Sequence, residues 1–160
     1  MTFAQDRLKI NHFLIPYIAL LAAVLGGVVV NGGVSWYYGL NLPSWHPSAL
    51  LIMTGGTLIY ACGAWSLMIV WNSTREHGFS WIVRGFGFLV LLNLLWSVTF
   101  FQFHLLLLSP LSGIVFGCAV LVLMKGIWPI SRKASLLLAP FALWIMFALL
   151  VQYSVLVLNT

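Results

Sequence analysis

Five stretches of this sequence are each long and apolar enough to cross a lipid bilayer, and no other property restricts its fold as much. A helix needs roughly 20 apolar residues to cover the hydrocarbon thickness. From His12 to Gly33 there is no charge, and a second run over about 49–71 is interrupted only by small and hydroxyl residues. From Trp81 to Trp128 the chain is almost continuously apolar. That is about twice what one helix needs, so the run must contain a reversal. His104 to Pro110 is the place for it: Ser109 can cap a helix whose first residue is Pro110, where proline gives up only an amide that would be unpaired anyway. The expected spans are 12–33, 49–71, 82–103, 109–128 and 134–158, the last kinked near Pro140. The expected fold class is all-α, a polytopic membrane protein in which residues 1–160 form a single domain, a bundle of five transmembrane helices.

Composition agrees: 62% of residues are hydrophobic and 6% charged, against about 25% charged in ordinary soluble domains. Mean hydropathy is +1.08. The net charge of +5 comes from seven Lys and Arg against Asp6 and Glu76, too few and too scattered for a nucleic-acid footprint. Their placement orients the chain instead. The N-terminal tail, the second connection and the fourth, with adjacent helix ends, hold all seven basic residues, and the first connection, the third and the C-terminus hold none. By the positive-inside rule the N-terminus lies inside and the C-terminus outside. Cys62 and Cys118 fall within apolar runs without metal-ligand spacing, so no metal site or disulfide framework is expected. The first apolar run is too long for a signal-peptide core.

Trp36 to Ser48, WYYGLNLPSWHPS, brings four aromatic rings, two prolines and a histidine together without a charge. Pro43 and Pro47 should keep it an ordered loop, either as an interfacial aromatic belt or as a lid over an apolar ligand. In the third span Asn93, Trp96, Ser97, Phe100 and His104 fall on one helical stripe, and in the fifth Pro140, Trp144, Ala148 and Gln152 do the same. Amides at mid-bilayer should face protein or a cavity, a helix–helix hydrogen bond being the plain alternative. Tyr60, on a groove with Gly56, Gly63 and Ala64, should point into the bundle. Together these residues outline an aromatic-lined pocket beneath the loop, opening on the outer side. His46 and His104 are candidate haem-iron ligands at its mouth, against a plain reading as interfacial histidines. Four-residue spacing of small residues, Ala19, Ala23 and Gly27 in the first span and Ser109, Gly113 and Gly117 in the fourth, suits close helix packing, with Gly113 and Gly117 one candidate dimer seam.

The loop LNLPSWHP, the tyrosine at position 60, NLLWSVTFF and APFALWIMFALLVQYSVLVLN together resemble the translocator protein family, also called tryptophan-rich sensory proteins or peripheral-type benzodiazepine receptors. The resemblance extends over roughly 36–159 and implies a five-helix bundle, usually a homodimer, that binds porphyrins, haem-like tetrapyrroles or sterols under the first loop. Pro43, Trp45 and Pro47 match the family's loop motif, Tyr60 its second-helix tyrosine, Asn93 and Trp96 its third helix, and Pro140, Trp144 and Ala148 its fifth. Gly56 stands where members usually carry a tryptophan implicated in porphyrin degradation, which speaks against that activity here and reshapes the pocket. Leu50 replaces a common aromatic, Phe141 a tyrosine, Gln152 an asparagine and Ser112 a frequent acid. No Lys or Arg follows Tyr153, so a C-terminal sterol-recognition pattern is absent.

The function expected is therefore that of a membrane binder, translocator or sensor of a planar hydrophobic ligand, a porphyrin or tetrapyrrole or else a sterol-like lipid. Trp45, Pro43, Pro47, Tyr60, Asn93, Trp96, Phe100, Trp144, Ala148 and Gln152 are its candidate ligand contacts. No cofactor is obligatory, although a bound porphyrin or haem would fit. The expected partners are the lipid bilayer of a bacterial cell membrane, the ligand and a second copy of the chain, with room for a larger membrane complex. The alternatives are a structural or pigment-holding subunit of such a complex and, disfavoured by the lack of paired carboxylates or other catalytic groupings, a porphyrin-modifying enzyme.

Overall fold

The computed structural model describes residues 2–73 and 79–160, and every regular element among them is helical. The helices are α1 (Thr2–Tyr38), α2 (Ala49–Ser73), α3 (Phe79–Phe101), α4 (Leu108–Ile127), α5 (Arg132–Leu136) and α6 (Ala139–Asn159). Five segments are long and apolar enough to cross a membrane: His12–Tyr38, Ala49–Ser73, Ser80–Phe101, Leu108–Ile127 and Arg132–Asn159. The side chains of Asp6, Arg7 and Lys9, and the polar turn expected around Arg75, Glu76, His77 and Gly78, lie outside what is described.

Four boundaries differ from expectation, each for a local physical reason. The first helix continues past Gly33 to Tyr38, because Pro43 and Pro47 constrain only themselves and the residues before them. Trp36 and Tyr37 remain helical and turn their rings inward: Tyr37 packs on Phe100 at 5.7 Å, and Trp36 meets the same ring edge-on at 5.5 Å. The third helix stops at Phe101, and the reversal contains His104 at φ 57°, a left-handed conformation that histidine enters more readily than most residues. Ser109 does not cap α4. The N-cap is Leu107, and Ser109 lies inside the first turn with its hydroxyl buried and without a hydrogen-bond partner. Finally, the last span, Arg132–Asn159, is interrupted near Pro140 as expected, but at Leu137 and Leu138, which divide it into the short α5 and the long α6. Pro140 has no amide to offer the carbonyl of Leu136, so it sits in the opening turn of α6, where that loss costs nothing.

The short α5 packs against α2 and α4. Ser131 caps it, accepting from the Ala134 amide at 3.2 Å. The Ser66 hydroxyl donates to the Ala134 carbonyl at 2.7 Å, and Ser135 donates to the carbonyl of Met124 at 2.8 Å. The long helices close a ring in the order α1, α2, α6, α4, α3. One core cluster fills the end near α5, with Phe116, Ile127, Leu138 and Ile145 at its centre. A smaller one, Tyr37, Phe100, Val151 and Val155, lies under the loop.

Glycines set how closely the ring can close. A Cβ on Gly33 would overlap the carbonyl of Phe101, so the C-terminal part of α1 lies directly on the α3 backbone. Of the candidate dimer seam on α4, Gly113 is buried within the chain: a Cβ there would come within 2.7 Å of Leu149 and 3.0 Å of the Trp96 indole nitrogen, whereas one on half-buried Gly117 would meet Ile145 at an ordinary 3.4 Å. Gly113 is therefore spent inside one chain, seating α4 against α6 and α3. Gly33→Ala should lower stability by about 1–3 kcal/mol in detergent, because backbone must move to admit one methyl. Gly87→Ala, whose Cβ would meet nothing within 4 Å, should instead gain up to about 1 kcal/mol of helix propensity. Chemical denaturation followed by circular dichroism reads both signs, and equal effects at the two sites would contradict this packing.

Candidate ligand cavity

A cavity of about 430 Å³ opens inside the ring on the side of α1 and α2, walled by α1, α2, α3 and α6 with Pro47 of the loop. No α4 residue is in its wall. Of the residues singled out in the sequence, Pro47, Tyr60, Asn93, Trp96, Phe100, Trp144, Ala148 and Gln152 line it. The stripe on α3 meets the stripe on α6 across it, as two amphipathic faces of buried helices should when each carries an amide that lipid would not tolerate.

Two side-chain hydrogen bonds cross the ring at the cavity. The Tyr60 hydroxyl donates to Asn93 Oδ1 at 2.7 Å, joining α2 to α3. The Trp96 indole N–H donates to Gln152 Oε1 at 3.0 Å, joining α3 to α6. An indole can only donate, so the partner atom of the buried Gln152 must be its oxygen. Each amide thus commits its oxygen to an aromatic partner and keeps its two N–H donors to offer. Gly26 of α1 lies beside this bond, where a Cβ would come within 3.4 Å of the Tyr60 hydroxyl and 3.8 Å of Asn93 Oδ1, ordinary contact distances.

Trp144 owes its position to Gly55, where any Cβ would overlap the indole ring. Sequence reasoning missed Gly55, and it missed Ala23, Gly26, Gly27 and Val30, which give α1 a share of the wall. The adjacent pairs Gly26–Gly27 and Gly55–Gly56 were the available signal. Small spacing in α1 reads as packing only, but Gly27 faces open space, as does Gly56.

The loop lies over one end of the cavity. Pro43 and Pro47 are buried, yet only Pro47 reaches the wall. Trp45 is half exposed and leans on Phe147, a wall residue, with ring centres 6.3 Å apart. The loop is tied down twice. The Asn41 amide donates to Asn159 Oδ1 and Asn159 Nδ2 donates to the Asn41 carbonyl, both at 3.0 Å. Tyr37, itself in the wall, is hydrogen-bonded to His46 Nε2 at 2.7 Å. Partial burial holds the His46 imidazole below its ordinary value, which favours the neutral ring as acceptor from the phenol.

The two histidines expected at an iron site are placed otherwise. His46 is engaged by Tyr37, and His104 stacks on Trp36 with ring centres 4.0 Å apart. Neither is in the cavity wall. Among the described residues no three His, Cys, Asp or Glu gather as metal ligands. What the wall can do is hold an apolar, planar body between aromatic faces and satisfy a few polar atoms of it through amide N–H groups and a phenol.

Comparison with known proteins identifies the family of almost the whole chain. The TspO/MBR family profile matches residues 13–158. The tryptophan-rich protein TspO of Archaeoglobus fulgidus is 35% identical over 132 residues, covering 78% of this chain and 80% of that one. The protein of the same name in Chlorobaculum tepidum is 28% identical over 148 residues, 89% of this chain and 91% of its own. The translocator protein of Sus scrofa is 32% identical over 130 residues, 79% of this chain and 76% of its own. With five apolar helices among its described residues, the chain belongs to the TspO/MBR family of integral, multi-pass membrane proteins.

Proposed function

We propose that the protein binds a porphyrin or related tetrapyrrole, or a sterol-like lipid of similar breadth, in this cavity and carries or senses it without changing it chemically. One observation supports the reading above others: a space of about 430 Å³ at bilayer depth, lined mainly by apolar and aromatic groups, into which two amide–aromatic pairs converge. Trp96, Trp144 and Phe100 offer faces for a macrocycle, and the unused amide N–H donors of Asn93 and Gln152 suit its carboxylate or carbonyl groups. Among the described residues the wall contains no carboxylate, imidazole, thiol or amine, the groups that proton transfer or nucleophilic attack would call on. Gly56 also leaves the wall without the tryptophan that its relatives' resemblance would place there.

Ala148→Phe should fill the cavity and weaken protoporphyrin IX binding by at least about tenfold, close to 1.4 kcal/mol. Ala61→Phe, on the exposed face of α2, should leave it within about twofold. Porphyrin fluorescence titration of the two variants, each checked by circular dichroism, measures the difference. If the wild type binds no porphyrin, the reading as a structural subunit of a larger complex replaces this one.

The same reading places the N-terminus inside and the loop outside, from the one-sided distribution of Lys and Arg. In a background with Cys62 and Cys118 replaced by Ala, an impermeant thiol reagent on intact cells should label Ser48→Cys and spare Ser73→Cys. The reverse pattern would invert the assignment.

A further inference from the structure

The cavity differs from one side to the other. Its loop end is shut: Tyr37 and Pro47 are buried in the wall, and the reciprocal Asn41–Asn159 pair holds the loop to the end of α6. On α3 and α6 every wall residue is buried or half-buried. The exposed wall residues are Gly27 on α1 and Met53 and Thr57 on α2. Between them, a Cβ on Gly27 or on Gly56 would meet nothing within 4 Å. Both helices span the membrane there, so this open side faces lipid.

Polarity is graded along the same direction. The hydrogen-bonding groups, Tyr60 with Asn93 and Trp96 with Gln152, lie on the inner walls. At the rim the only hydroxyl is Thr57, and it is turned back on its own helix, donating to the Met53 carbonyl at 2.9 Å. The rim therefore offers methyl and thioether groups, and open backbone at the glycines, to whatever passes it. A molecule that fits this gradient carries its polar or aromatic part inward and its hydrocarbon outward.

We propose, resting on the porphyrin-class reading above, that the cavity is filled sideways from the bilayer through the gap between α1 and α2 at Gly27 and Gly56. Its ligand is a membrane-dissolved amphiphile whose planar or polar body reaches the Tyr60–Asn93 pair while a hydrocarbon arm lies in the gap and ends among lipid chains. Entry from lipid spares the ligand any passage through water and needs no opening of the loop. Gly56 is the residue that makes room for the arm.

The test compares protoporphyrin IX with its mono-hexadecyl ester, the same ring carrying one long chain, in phosphatidylcholine nanodiscs, with affinities expressed as mole fraction in the bilayer. In the wild type the ester should bind within about threefold of the parent, since the chain has an exit. Gly56→Leu and, separately, Thr57→Leu should cost the ester at least about tenfold relative to the parent, by closing that exit. Asn159→Ala, which frees the loop, should leave the ratio unchanged. Rejection of the ester by the wild type, or an ester-to-parent ratio unmoved by Thr57→Leu, overturns the side entrance. A ratio that responds to Asn159→Ala instead puts the entrance under the loop. If the wild type binds neither compound, the tetrapyrrole reading itself fails, an outcome separate from the others because it appears before any variant is made. Should Gly56→Leu weaken both compounds alike by filling the cavity, Thr57→Leu on the rim decides.

Discussion

A polar group inside a bilayer has no water to turn to, and this single constraint organises the molecule from its backbone to its cavity. It first forces the spans to be helical. It then dictates what each polar side chain on them does. Thr54, Thr57, Ser73 and Ser154 return their hydroxyls to carbonyls of their own helices, which leaves those faces effectively apolar. Residues that cannot satisfy themselves locally reach across: Tyr60 to Asn93, Trp96 to Gln152, Ser66 to the backbone of α5. The cross-links that position the cavity and those that close the bundle are thus one class of interaction, used at different depths. Among the described residues Ser109 is the exception, a buried hydroxyl left alone in the first turn of α4.

Close approach is the second theme, and it is written in glycine. Gly33 brings α1 onto the α3 backbone, Gly113 seats α4 between Trp96 and Leu149, and Gly126 accepts the ring of Trp81. Gly55 does something different, since the space it vacates is taken by Trp144, part of the furniture of the cavity itself. Gly27 and Gly56 vacate space that nothing fills. The same residue type thus serves contact, positioning and opening.

That division explains what could be read in advance. Helix number and approximate spans followed from hydropathy, because length and apolarity alone decide them. Asn93, Trp96, Ser97 and Phe100, and Trp144, Ala148 and Gln152, could be placed on shared faces because helical periodicity is a property of one helix at a time, and both faces do line the cavity. The share of α1 in the wall could not be read, because glycine and alanine at four-residue spacing look alike whether a neighbour or a void lies opposite. For the same reason Gly113 and Gly117 looked like a surface between copies. Their partners, Leu149, Trp96 and Ile145, are remote in sequence and are fixed only by the order of helices around the ring. The division of the last span into α5 and α6 was half visible: Pro140 marked a disturbance, but whether it bends a helix or begins one depends on what α5 packs against.

The Asn41–Asn159 pair joins residues 118 positions apart, and α6 also brings Trp144, Ala148 and Gln152 to the wall. A chain made from its N-terminus delivers this helix last. Until then Trp96 has no acceptor, Gly55 has no ring to accommodate, and the loop has only its local tie from His46 to Tyr37. The ligand site is therefore absent from every shorter nascent chain, so that a ribosome still engaged with the earlier spans holds a protein that has entered the membrane and cannot yet load.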